Sequence, residues 1–98
     1  MTFWFDMDGT IADFYKVDNW LSKLLANDPS PYIDALPLYN MSLLARYLNK
    51  VQKRGYSIGI ISWLSKNSNK SYDKKVIDAK INWLKKHWYI YVAAIVLV

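Results

Sequence analysis

The chain contains no cysteine and no glutamate, and it has only three glycines, three prolines and one histidine in 98 residues. Lack of cysteine excludes disulfides and thiolate metal sites, so the fold must be held by its core alone. Lack of glutamate leaves an EF-hand calcium loop without its closing ligand. No Gly-x-x-x-x-Gly-Lys is present, which excludes a P-loop. The longest apolar stretch, 88–98, is about half of the roughly 20 residues a spanning helix needs, so no membrane segment is expected. No basic leader precedes an apolar run at the N-terminus. With the missing cysteine, this predicts a cytoplasmic protein.

What the chain does have is apolar mass, 53% hydrophobic with 16% aromatic and 21% charged residues. That suffices for one small domain, 1–98, with an aromatic-rich core. The net charge of +5 hides a polarity. Residues 1–40 hold six Asp against two Lys, and 41–98 hold eleven Lys/Arg against two Asp. Such a split suits a site where acids bind a metal and bases receive an anionic substrate. It equally suits a solvated helix face, since Lys74, Lys75, Lys80, Lys85 and Lys86 fall where a helix would expose them.

Phe3, Trp4 and Phe5 form a strand-favouring run that reads as a buried strand stopping at Asp6, with Gly9 breaking regular structure beyond it. Val17, Trp20, Leu21, Leu24 and Leu25 recur at helical spacing, with Asp18 at the start and Asn27-Asp28-Pro29 as the stop. Three prolines make 28–38 a loop with at most one helical turn near 32–36. Leu43, Leu44, Tyr47, Leu48 and Val51 then define the inner face of a stronger helix, with Arg46, Asn49, Lys50 and Lys53 opposite; Asn40 or Ser42 caps it and Gly55 ends it. Residues 56–61 read as a buried strand ending at Ser62, with Gly59 marking a close approach by another group. After a polar loop, Ser71 caps a third helix with Val76, Ile77, Ile81, Leu84 and Trp88 inward. Residues 90–98 form the last core strand. The order β, α, α, β, α, β predicts an α/β domain with a Rossmann-like parallel sheet, helices layered on it and right-handed crossovers.

In such sheets ligands bind beyond the carboxyl ends of the strands, which directs attention to Asp6, Asp8, Gly9, Thr10 and Ser62. Asp6 and Asp8 stand one residue apart where the chain leaves its strand, and Gly9 permits the turn that keeps them close. Two close carboxylates need a cation or a shared proton, and an all-oxygen site favours Mg²⁺. Two plainer alternatives stand beside this. Asp8-Gly9 is also a hairpin turn signal joining 3–5 to 10–11, and Ser62 can serve as a turn or helix cap.

Asp6-Met-Asp8-Gly9-Thr10 after an apolar strand, with Ile58-Gly-Ile-Ile-Ser62 closing the next one, resembles motifs I and II of the haloacid dehalogenase-like (HAD) hydrolases. Phe-Trp-Phe-Asp-Met-Asp-Gly-Thr-Ile-Ala-Asp and Arg-Gly-Tyr-Ser-Ile-Gly-Ile-Ile-Ser-Trp-Leu-Ser further resemble small bacterial and phage proteins of the 5'(3')-deoxyribonucleotidase type. The resemblance implies a Mg²⁺-dependent phosphomonoester hydrolase acting through an aspartyl-phosphate, on a nucleotide. Asp6 would be nucleophile and metal ligand, and Asp8 the acid, the base and a second ligand. Gly9, Thr10 and Ser62 would contact the substrate phosphate, with backbone N–H groups beside Asp8 and Gly9 as oxyanion donors. Residues 12–37 would form a minimal helical cap. Trp20 and Tyr32 are core aromatics first, and Lys66, Asn67 and Lys70 are solvated loop residues.

The resemblance also implies a Lys or Arg of motif III and an acidic pair of motif IV. Neither is recognisable in the sequence: the acids after position 40 are Asp73 and Asp78, both on a polar helix face. The expectation is therefore a partial HAD core, truncated after its third strand, with strand 1 as an open edge and little turnover. The competing reading is a non-enzymatic module whose basic face, Lys70 to Lys86 with Tyr72 and Trp83 interleaved, meets nucleic acid or another anionic partner. A homodimer through the open sheet edge is a further expectation. His87, at a helix C-terminus, is favoured in its charged form by the helix dipole.

Overall fold

The computed structural model of the chain describes residues 1–64, 70–90 and 92–97. Its centre is a three-stranded parallel sheet. β1 (Thr2–Asp6) pairs with β2 (Ser57–Ser62) in a register that sets Thr2 opposite Ser57 and Asp6 opposite Ile61. β2 pairs on its other side with β3 (Ala94–Leu97), Gly59 opposite Ala94 and Ser62 opposite Leu97. The protein is thus α/β, with β2 in the middle and β1 and β3 at the edges. The turn after Asp6 does not start a hairpin, because β1 takes its partner from residues 57–62 and runs parallel to it.

Position in the sheet explains the burial. Ile58 and Ile60 of β2 are 0% exposed, and burying each contributes about 1.5–3 kcal/mol. β1 is less buried than its composition predicts: Phe3 and Trp4 remain 39% and 47% exposed because an edge strand has a neighbour on one side only. Gly59 does mark a close approach. A Cβ there would lie 2.6 Å from ring carbons of Trp4, its register partner across the pair. The last strand is shorter than the apolar run that contains it, four residues in place of the expected 90–98; Tyr91 and Val98 lie outside the described residues.

Four α-helices and one 3-10 turn (Phe14–Lys16) make up the helical part of the described residues. α1 (Trp20–Leu25) is shorter than the apolar spacing over 17–26 predicts, and it starts at a left-handed Asn19 in place of an Asp18 cap. Asn27, also left-handed, ends it where the Asn-Asp-Pro signal places the stop. α2 (Ser30–Asp34) is the single turn expected among the prolines, slightly earlier in the chain. α3 (Met41–Lys53) is capped by Asn40, whose side-chain oxygen accepts from the N–H groups of Ser42 (3.1 Å) and Leu43 (3.2 Å), a motif that contributes about 1 kcal/mol. Its buried residues are Met41, Ala45 and Leu48, flanked by half-buried Leu44 and Val51. Leu43 and Tyr47, expected inside, are 59% and 67% exposed, because the stripe that meets the sheet is rotated away from them.

α4 (Lys70–His87) begins before Ser71, which lies within the helix and not at its cap. Its inner face comprises Tyr72, Val76, Ala79, Lys80, Trp83 and Leu84. Ile77 and Ile81 are only partly buried. Two corrections follow from this rotation. Lys80, grouped in sequence with the solvated lysines, is fully buried, and Tyr72 and Trp83, expected on the basic outer face, are each 3% exposed. The Trp83 indole donates to the Ala35 carbonyl at 2.7 Å and so ties α4 to the chain just after α2. His87 packs on the Trp83 ring at 4.7 Å, and burial and neighbouring Lys86 push its pKa down.

Candidate active site

The site forms where β1 and β2 end. Beyond Asp6 the chain folds into a tight turn around the Met7 carbonyl, which accepts the N–H groups of Thr10, Ile11 and Ala12 at 3.3, 3.0 and 2.9 Å. The Gly9 N–H donates to the Ala12 carbonyl at 2.8 Å. Met7 and Ile11, each 1% exposed, anchor this turn in the core. Asp6 and Asp8, on either side of Met7, therefore stay at the surface end of β1. Asp6 is exposed, and one of its carboxylate oxygens accepts the Met7 N–H at 2.7 Å. The expected oxyanion donors are corrected here: the N–H groups of Gly9 and Thr10 are spent within the turn, and neither residue lines the cleft above the aspartates.

Gly9 has a different role. It holds φ at +79°, and a Cβ there would sit 2.7 Å from the Tyr15 ring. Gly9→Ala should therefore strain the turn and push Tyr15 aside, costing about 1–3 kcal/mol in urea unfolding. A variant as stable as the parent would show that the turn tolerates a side chain.

Asp8 faces inward and meets the feature that the sequence did not disclose. The Lys80 ammonium lies 3.1 Å from the Asp8 carboxylate, 2.6 Å from the Ser62 hydroxyl oxygen and 2.7 Å from the Trp63 carbonyl. Those three acceptors match its three N–H donors. The Tyr32 ring, 5.0 Å from the ammonium, covers it further. Ser62 accepts from Lys80 at 2.6 Å, and its hydroxyl also helps to hold the Asp8 pKa down. Because Ser62 is 0% exposed, it supports Asp8 and does not open onto the cleft. Burial pushes the Asp8 pKa up; Lys80 and Ser62 pull against that, and the Asp6 charge adds to it.

Residues 12–37 leave this turn and come back to it. Ala12 bridges Pro37 antiparallel, the Asp13 N–H donates to the Leu36 carbonyl at 2.8 Å, and the Leu38 N–H donates to the Ile11 carbonyl at 2.9 Å. The excursion between these stitches forms one wall of a cleft of about 290 Å³ with Asp6 and Asp8 in it. Phe14, Tyr15, Trp20, Leu24 and Tyr32 come from that excursion, and Trp63 and Leu64 from the end of β2. Tyr15 and Trp20 meet edge to face at 5.0 Å, and Phe14 packs on Tyr32 at 4.7 Å. A larger groove of about 380 Å³ between α2 and α4 has Asp78 as its one acid and lacks converging carboxylates. Of the loop after β2, Lys66 and Asn67 lie outside the described residues, and Lys70 is the exposed first residue of α4.

Among the described residues no group of three acidic, histidine or cysteine side chains is placed to hold a metal ion. The donor set at the β1 rim is two carboxylates. Mg²⁺ keeps several waters and commonly takes one or two carboxylates together with substrate phosphate oxygens, so the chemistry of the set fits that ion even though no protein cage surrounds it. No helix among the described residues is long and apolar enough to cross a membrane. Comparison of the chain with protein-family models, with curated proteins and with solved structures returned no match.

Proposed function

We propose that this chain is a phosphomonoester hydrolase of HAD type, built on a partial Rossmann-like core with residues 12–37 as its cap, and that its substrate is a nucleotide. The observation that carries the reading is the convergence of an exposed Asp6, a half-buried Asp8 whose pKa is raised and a fully buried Lys80 at the carboxyl rim of adjacent parallel strands. Nothing in a structural salt bridge calls for a second, exposed carboxylate two residues away, facing an aromatic cleft.

Asp6, joined by Asp8 in its ionised form, would hold Mg²⁺, which when bound offsets phosphate charge beside them. The Met7 N–H fixes one Asp6 oxygen and leaves the other to attack phosphorus, forming the Asp6 O–P bond as the ester O–P bond breaks. Asp8 gives its proton to the departing oxygen. It then takes a proton from water, which attacks phosphorus and restores Asp6. A carboxyl whose pKa is raised by burial can carry that proton, and Lys80 limits the rise so that Asp8 can also act as a base. Lys80 supplies the basic group that the family resemblance calls for, reached from α4. Tyr15 and Trp63, 57% and 63% exposed, offer flat surfaces suited to a nucleobase.

The test is phosphate release from deoxynucleoside monophosphates and from glycerol phosphate, with Mg²⁺ and with chelator. The expected result is slow, Mg²⁺-dependent hydrolysis that prefers the nucleotides. Equal rates on glycerol phosphate would remove the nucleotide assignment, and no release from any ester would remove the enzymatic one.

The alternative, an anion-binding module on α4, keeps Lys70, Lys74, Lys75, Lys85 and Lys86 exposed but has Tyr72, Trp83 and Lys80 turned inward, so it is supported by fewer of the residues it was read from.

A further inference from the structure

We infer that the outward face of α3 is a binding surface for single-stranded nucleic acid, separate from the site at the strand ends. Arg46, Tyr47, Lys50, Lys53 and Arg54 are all exposed. At 100° per residue they fall within an arc of about 120°, opposite buried Leu48. No acidic residue occurs anywhere between Asp34 and Asp73 in the sequence. None of the four cations has an ion-pair partner among the described residues. The face is therefore one of uncompensated positive charge, and its complement is a polyanion.

The aromatic decides which polyanion. Two shallow grooves flank Lys50, one lined by Arg46, Asn49, Lys50 and Lys53, the other by Tyr47, Lys50, Val51 and Arg54. The first offers only charge and amide. The second sets the Tyr47 ring, 67% exposed, in one groove with Lys50 and Arg54. Single strands are gripped in this way, with cations along the phosphates and an aromatic face under an unpaired base. A duplex hides its base faces, and a lipid surface or a sulfated sugar has none, so base stacking on Tyr47 favours a single strand over those partners. Along the helix axis Arg46 and Lys53 are about 10 Å apart, enough to follow two or three phosphates.

The surface does not draw on the catalytic reading. α3 leads through Gly55 into the start of β2, so Lys50, Lys53 and Arg54 gather near the amino ends of the strands, whereas Asp6, Asp8 and Ser62 stand at the carboxyl ends.

The experiment is fluorescence anisotropy of a labelled oligothymidylate titrated with the full chain across a salt series. With three phosphates neutralised, affinity should fall roughly 20-fold between about 50 and 200 mM salt. In Lys50→Ala/Lys53→Ala the same salt step should cost only about threefold. Tyr47→Ala should weaken binding about fivefold or more while leaving the salt slope unchanged. Because these side chains are exposed, the variants should keep the parent circular dichroism spectrum. Lys74→Ala/Lys75→Ala on α4 should bind as the parent does. The inference is overturned if the oligonucleotide is not bound at low salt, if Tyr47→Ala binds as well as the parent, or if the α4 variant is the one that loses binding. Equal affinity for duplex DNA, heparin or phosphatidylserine vesicles would overturn it as well.

Discussion

Lys80→Met should lose about 3 kcal/mol of folding stability at neutral pH, the lower end of what breaking a buried ion pair costs. The lower end applies because the Asp8 side chain keeps 19% of its exposure and regains some water, whereas Lys80 has only 1%. Methionine fills the stem's volume, so the loss is electrostatic: Asp8, Ser62 and the Trp63 carbonyl all forfeit the ammonium. In a domain of this size the melting temperature should fall by about 12–24 °C. The pH dependence identifies the cause. The folded pKa of Asp8 is already raised above its ordinary value, and removal of Lys80 raises it further. A carboxyl with a raised folded pKa contributes stability that is present below its unfolded pKa and is lost as pH rises through the folded one. The gap between variant and parent should therefore be widest at neutral pH and narrow towards pH 4. Lys80→Met/Asp8→Asn should recover much of the loss, because no unpaired charge remains. Urea unfolding at both pH values checks this, and a single variant as stable as the parent at pH 7 would remove Lys80 from the centre of the site.

Asp6→Asn should behave in the opposite way, with hydrolysis lost by about a thousandfold or more and stability changed by no more than about 0.5 kcal/mol. Asp6 is exposed, and asparagine still offers an oxygen to the Met7 N–H, so the turn keeps its contact. What disappears is the carboxylate proposed to attack phosphorus. The substitution also removes a negative charge that helps to raise the Asp8 pKa, so Asp8 should ionise at lower pH in the variant. Single-turnover phosphate release, paired with thermal unfolding, separates the two effects. Turnover within tenfold of the parent would show that Asp6 is not the nucleophile.

Much of the fold follows from local rules. Phe3-Trp4-Phe5 and the 57–62 run form strands, Asn40 caps α3, Gly55 ends it with φ of +95°, and Gly59 sits under a close neighbour. What failed was the facing of side chains. Tyr47 and Leu43 fit an apolar stripe yet lie outside, because Met41 and Ala45 shift the buried stripe of α3 by part of a turn. Lys80 fits a solvated stripe yet lies inside, because Val76 and Ala79 carry that arc of α4 against Phe14 and Tyr32, and Trp83 ties it to the Ala35 carbonyl. A lysine one turn beyond Val76 and one before Leu84 was the available signal; charge type alone argued for water. Ser62 illustrates a different limit. Its placement at a strand end was legible, but its orientation away from the cleft depends on an ammonium delivered by a distant helix.

That delivery sets an order on assembly. During synthesis β1, its turn and β2 emerge well before α4, so the nascent chain can bring Asp6 and Asp8 to one rim while the cation that balances them is not yet made. The two carboxylates then repel, and the rim gains its counter-charge only when α4 docks. The rim that carries the two aspartates thus matures only after most of the chain has been made.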